Sequence, residues 1–150
     1  MAQNNINSLD DLRLFAKDFC AQLKPGTVVA LVGPLGAGKT TLVQMIALEL
    51  GITARVTSPT FALVKEYEVP NKARKISRMY HIDLYRLDRI DDDLGFEEYF
   101  ADIDSVVFVE WAEKAKHILP ASAVWLEILV KNNSKNGVRS RFFGNKKNGS

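Results

Sequence analysis

Cysteine is almost missing from this chain of 150 residues: Cys20 is the only one. No disulfide can form within the chain, and a cytoplasmic location is the expected default. On its helical pattern Cys20 reads as a small buried hydrophobe. Long apolar runs are missing too. None approaches the ~18 residues of a membrane-spanning helix. The start, Met1-Ala2-Gln3-Asn4-Asn5, lacks the basic and apolar blocks of a signal peptide. No internal repeat is present, and the net charge is a slight +2. What is there is 47% hydrophobic, enough to core one domain. That domain is expected over residues 1–143, with a flexible polar tail over 144–150.

The charge is unevenly placed. Residues 88–104 carry eight acids against Arg89, and residues 131–150 carry six bases and no acid. The plain reading is two solvated faces. The sharper one is that one or both dock a partner or RNA.

One motif dominates. Gly33-Pro34-Leu35-Gly36-Ala37-Gly38-Lys39-Thr40 fits G-x-x-x-x-G-K-[ST], the phosphate-binding loop of nucleoside triphosphatases. An apolar β-branched run, Thr27–Val32, precedes it, and a helical pattern, Leu42–Leu50, follows. This strand–loop–helix setting makes the motif a site. Glycines 33, 36 and 38 let backbone N–H groups turn inward to phosphate oxygens, and Ala37 belongs to the same cradle. The helix aims its N-terminal dipole at the same anion. Lys39 supplies a charge for the β and γ phosphates, Thr40 a hydroxyl for Mg²⁺, and Thr41 a contact to the α phosphate.

The rest of the chain alternates strands and helices. Ser8 and Asp11 resemble a capping box. Leu9, Leu12, Phe15, Ala16, Phe19 and Leu23 then share a helical face, which Pro25-Gly26 ends. Thr57-Ser58-Pro59-Thr60 reads as a turn. Residues 61–69 and 78–84 read as two strands joined by a hairpin tip at Pro70-Asn71-Lys72. Asp91–Asp93 suit the cap of a short helix running to Phe100. Residues 105–110 and 124–130 read as strands, and 138–143 as a last edge strand. The pattern predicts a three-layer α/β fold around a mostly parallel central sheet, with antiparallel hairpin and edge strands.

A phosphate loop needs a second acid to complete the Mg²⁺ shell, usually at the end of a hydrophobic strand beside it. Glu110, closing Val106-Val107-Phe108-Val109, fits best; a plain strand-end acid is the alternative. Asp83 ends another strand and suits Mg²⁺ through a water, or the attacking water itself. His81 shares its face by period two, but alone reads as a structural histidine. Arg86 reads as a partner of Asp83 or of the 91–93 acids rather than an arginine finger. Thr60 sits where a switch loop folds over the γ phosphate. Trp111 reads as a packing anchor or a docking residue. Asp92-Asp93-Leu94-Gly95 has the letters of a GTPase motif without its strand, and Asn145-Lys146-Lys147-Asn148 lacks a guanine-reading acid. ATP follows by elimination.

Taken together, Gly33–Thr41 (GPLGAGKTT), Thr57–Phe61 (TSPTF), His81–Leu87 (HIDLYRL), Phe96–Phe100 (FEEYF) and Val109–Trp111 (VEW) resemble the TsaE (YjeE) family, from about Leu9 to Val130. The resemblance implies a small bacterial P-loop ATPase of tRNA threonylcarbamoyladenosine formation. It also implies two partners, TsaD and TsaB, with TsaD as the transferase and ATP hydrolysis resetting the complex. By motif, Lys39 and Thr40 hold phosphate and Mg²⁺, Glu110 is the second Mg²⁺ contact, and Asp83 and Thr60 are active-loop residues. Many members carry an acid where this chain has Pro34, a position expected to face outward. The resemblance also implies adenine contacts near both chain ends, with Ser8 and either Lys135 or Arg139 as candidates. Two other readings stand beside it. One is a nucleotide-gated docking module with negligible turnover. The other is a small-molecule kinase, for whose lid and second pocket the chain has little room.

Overall fold

The computed structural model describes residues 4–59, 63–88, 90, 95–133 and 138–145. Seven strands form one sheet: β1 (Asn4–Ile6), β2 (Val28–Val32), β3 (Val64–Glu68), β4 (Arg78–Asp83), β5 (Ser105–Glu110), β6 (Val124–Asn133) and β7 (Val138–Asn145). Their spatial order is β1-β7-β6-β2-β5-β4-β3. The centre, β6-β2-β5-β4, is parallel, and β1, β7 and β3 join antiparallel.

The central strands are parallel because both of their faces are covered. Every residue of β2 and of β5 is buried, which is why both read as continuous apolar runs rather than alternating ones. On one face Val29, Leu31, Val106 and Phe108 pack under helices α1 (Leu9–Gln22) and α2 (Lys39–Glu49). On the other, Val28, Ala30, Val107 and Val109 meet Phe96, Ala112 and Ala115. Those residues come from the short helix α3 (Glu97–Phe100) with its leading turn, and from a 3-10 turn over Ala112–Ala115. This is the expected three-layer α/β arrangement, with a mostly parallel centre and antiparallel additions.

Helix α1 starts as the sequence predicts. Ser8 Oγ accepts from the Asp11 N–H at 3.1 Å, while Asp11 Oδ2 accepts from the Asn7 N–H at 2.9 Å. Leu12, Ala16 and Cys20 form its buried stripe. Leu9, expected on that stripe, is instead 62% exposed. Phe15 and Phe19 stack at the margin with ring centroids 6.1 Å apart.

Other boundaries differ from expectation. The strand predicted from residue 61 begins at Val64, after Leu63 in a left-handed conformation (φ 59°). The expected hairpin tip is a 3-10 turn over Pro70–Lys75. β6 continues to Asn133. β7 is not an edge strand: β1 pairs outside it, with Ile6 opposite Arg141. β7 also reaches Asn145, two residues into the expected tail. The expected cap at Asp91–Asp93 lies outside the described residues, as do residues 146–150.

Candidate functional site

The phosphate-loop motif occupies the turn between β2 and α2, at the carboxyl ends of the parallel strands, where open α/β sheets bind ligands. Gly36 (φ 77°) and Gly38 (φ 105°) take left-handed conformations that an L side chain resists. Gly33 is required for another reason. A Cβ there would stand 2.8 Å from the Ile128 carbonyl oxygen of β6. Ala37 is buried and its N–H donates to the Pro34 carbonyl at 3.1 Å. Pro34 is exposed as expected, and Leu35 at the tip is 71% exposed. Gly38 caps α2 without any side-chain hydrogen bond. The first amides of an eleven-residue helix therefore face the loop's concavity with no side-chain cap on them.

Lys39 is only 5% exposed. Its ammonium donates to the Gly33 carbonyl at 2.5 Å and lies 3.8 Å from the centre of the Trp111 ring. Burial pulls its pKa below the ordinary lysine range, while Glu110, Glu113 and Asp83 pull the other way. The Gly33 carbonyl, the Pro34 carbonyl at 3.4 Å and the indole face do not neutralise this charge, so an anion beside it gains a strong electrostatic interaction.

Glu110 sits at the end of β5, 3% exposed. The Thr40 hydroxyl lies 3.0 and 2.8 Å from its two carboxylate oxygens, and His81 Nε2 lies 2.5 Å from Oε2. Sheet register explains the convergence. β2 pairs Leu31 with Glu110, and β4 pairs His81 with Phe108 and Asp83 with Glu110. His81, Asp83, Phe108 and Glu110 thus share the face beneath the start of α2. Asp83 is held on both oxygens: Oδ2 accepts from the Ser58 hydroxyl at 2.5 Å and Oδ1 from the Tyr85 N–H at 3.0 Å. Trp111 follows Glu110 in a left-handed conformation (φ 58°) rare for so bulky a residue, with its ring 5.1 Å from that of Tyr85. Lys114 fastens this corner by donating to the Tyr85 and Leu87 carbonyls at 2.7 and 2.9 Å.

A cleft of about 410 Å³ opens here. Gly36, Ala37, Gly38, Lys39, Thr40 and Thr41 form one wall, and Asp83, Glu110 and Trp111 the other. Arg86 also lines it. Thr60 lies outside the described residues, as does Lys135. Ser8 caps α1 and does not line the cleft, while Arg139 lies on β7. Sequence reasoning did not find Ser58, or the contact of His81 with Glu110. The period-two pairing of His81 with Asp83 was visible, but the β4–β5 register that brings His81 to Glu110 was not.

The donors suit Mg²⁺. It binds through one or two protein oxygens and completes its shell with phosphates and water; the Thr40 hydroxyl and the Glu110 carboxylate are such a pair. No group of three or more His, Cys, Asp or Glu gathers into a metal site among the described residues. Among the described residues no helix is long and apolar enough to cross a membrane.

A family model described as "Threonylcarbamoyl adenosine biosynthesis protein TsaE" matches residues 6–140. The tRNA threonylcarbamoyladenosine biosynthesis protein TsaE of Bacillus subtilis is 41% identical over 122 residues, 81% of this chain and 72% of that protein. Its counterpart in Rickettsia bellii is 34% identical over 137 residues, 89% of this chain and 90% of that protein. The crystal structure of Bacillus subtilis YdiB matches with a TM-score of 0.70 at 34% identity, covering 95% of this chain and 83% of that one. With the family model spanning most of its length, the chain belongs to the TsaE family of threonylcarbamoyl adenosine biosynthesis proteins.

Proposed function

We propose that this chain binds and hydrolyses Mg·ATP in the cleft, working with TsaD and TsaB in the formation of threonylcarbamoyladenosine in tRNA. Hydrolysis resets the complex and does not itself perform the transfer. The observation that carries this reading is the convergence of the Thr40 hydroxyl and the Glu110 carboxylate beside a buried Lys39.

The steps follow from the side chains. The amides of the loop and of the first turn of α2 receive the phosphate oxygens. Lys39 exchanges the Gly33 carbonyl for the β and γ phosphates. Thr40 and Glu110 hold Mg²⁺, which supplies neutralising charge to the phosphate oxygens. Asp83 orients a water for in-line attack on the γ phosphorus, and its own orientation is fixed by Ser58 and the Tyr85 amide. The P–O bond to the β-phosphate oxygen breaks, releasing phosphate and ADP. tRNA is engaged through the partner complex, and the cytoplasm is the setting.

The test is phosphate release from Mg·ATP by the purified chain, alone and with TsaB and TsaD added. Slow turnover that rises markedly with the pair supports the proposal. Tight ATP binding with turnover flat in both conditions favours a nucleotide-gated docking module instead.

A further inference from the structure

His81 is a polar group beside the site that the scheme above leaves without a task. It is fully buried, at 0% exposure, on β4 between β5 and the edge strand β3. Its Nδ1 is buried with no hydrogen-bond partner among the described residues. A ring held only for its shape is better served by an apolar residue, because an unpaired buried nitrogen is costly. Among the described residues the one polar attachment the ring makes is Nε2 to Glu110 Oε2.

Glu110 therefore has two donors from two elements. Thr40 comes from α2 above and His81 from β4 beside it. The Thr40 hydroxyl has lone pairs for a metal and a proton for the carboxylate, so its tie to Glu110 moves with the metal. The tie to His81 does not, because β4 and β5 are locked in register from Arg78–Ser105 to Asp83–Glu110.

We propose that His81 is a positioning residue: by donating from Nε2 it fixes Oε2 of Glu110 and so sets the orientation in which that carboxylate meets Mg²⁺. This rests on the reading of Glu110 as a metal contact. Groups that orient metal ligands from behind change metal affinity by ~10–100-fold when removed. Ordinary structural packing has no such selective effect on the metal.

The experiment compares wild type, His81→Leu and His81→Gln by calorimetric binding of ADP, first in EDTA and then across a Mg²⁺ titration. His81→Leu should keep its Mg²⁺-free ADP affinity within about twofold, yet need about tenfold more Mg²⁺ for the half-maximal gain in affinity. His81→Gln keeps an N–H donor at similar reach and should recover most of the loss. Unchanged Mg²⁺ demand in the leucine variant overturns the inference, and so does a glutamine variant as impaired as the leucine one. A second reading needs no variant. The ¹⁵N resonance of wild-type His81 Nε2 should move on adding Mg²⁺ to the ADP complex, and a resonance that stays fixed also overturns the inference. If wild-type ADP affinity does not respond to Mg²⁺ at all, the assignment of Glu110 fails with it. If it responds and His81→Leu behaves as wild type, only the role of His81 is lost.

Discussion

Lys39 carries a residue-scale contradiction: a cation placed where water scarcely reaches, with burial pulling its pKa down. Its direct contacts, the Gly33 and Pro34 carbonyls and the Trp111 ring, are neutral, and the carboxylates of Glu110, Glu113 and Asp83 act on it only through space. Phosphate beside it supplies an anion in direct contact, so removal of the ammonium falls on ligand affinity. Lys39→Ala should weaken ATP binding by at least about 100-fold, the loss of a charge-assisted contact worth ~3 kcal/mol. Equilibrium binding with labelled ATP measures it, and retained affinity would overturn the phosphate-loop assignment. Trp111 gives an independent reading. Moving the ammonium off its ring on ATP addition should change the indole emission, and Trp111→Phe should abolish that change. An identical change in the variant would trace the signal to the other tryptophan, buried Trp125. Lys39, Thr40 and Glu110 were legible in the sequence because local spacing defines them: a motif eight residues long and the end of one apolar run. Ser58 on Asp83 and His81 on Glu110 were not. Each joins residues 25 or 29 positions apart, through pairing that no local pattern encodes.

Secondary elements hold the acids at one end of the sheet by fastening the other. At the start of β4, the Arg78 guanidinium donates two bonds to Asp102, at 2.9 and 3.0 Å, and the Tyr80 hydroxyl adds a third at 2.9 Å. These contacts join β4 to the turn that leads into β5. Since Asp83 and Glu110 stand opposite each other in that same pair of strands, the clamp and the site share one register. The guanidinium beside Asp102 holds its carboxyl down at about 2, against an ordinary 3.8. The sign follows: between those values the unfolded chain binds the extra proton, so stability rises with pH there. The contribution is present above pH 3.8 and is lost as pH falls through about 2. Asp102→Asn should therefore flatten the acid limb of the stability curve between pH 4 and 2. It should also cost about 1–2 kcal/mol at neutral pH, from weakened charge-assisted bonds. Urea unfolding at a series of pH values tests this, and parallel acid limbs for the two proteins would rule it out. Elements rich in signal, β2, α2 and β5, were readable from composition alone. β1 was not, because a three-residue strand is too short to show a periodicity of its own.

Over the whole molecule, the site and the core meet at Gly33. The loop follows β2, which pairs with β5 on one side and β6 on the other, and the absence of a side chain at Gly33 lets β6 come close. A methyl group there meets the Ile128 backbone oxygen at 2.8 Å, and backbone in a central sheet has no cheap way to move. Overpacking of this kind costs ~1–3 kcal/mol, or roughly 2–12 °C in melting temperature at about this chain length. Relief of the clash shifts the loop as well, so ligand binding suffers with stability. For wild type, Mg·ADP at 100 times its dissociation constant should add ~2.7 kcal/mol, roughly 5–11 °C. Gly33→Ala should melt lower without ligand and gain less from the same Mg·ADP concentration. A differential scanning measurement on both proteins, with and without Mg·ADP, separates the two effects. A variant that melts with wild type in the absence of ligand would show that β6 yields without strain. A lower melting point with the full ligand gain retained would show that the loop's phosphate contacts are independent of the sheet beneath it. Loss of both together is the outcome expected when one glycine joins the packing of β6 to the geometry of the phosphate cradle.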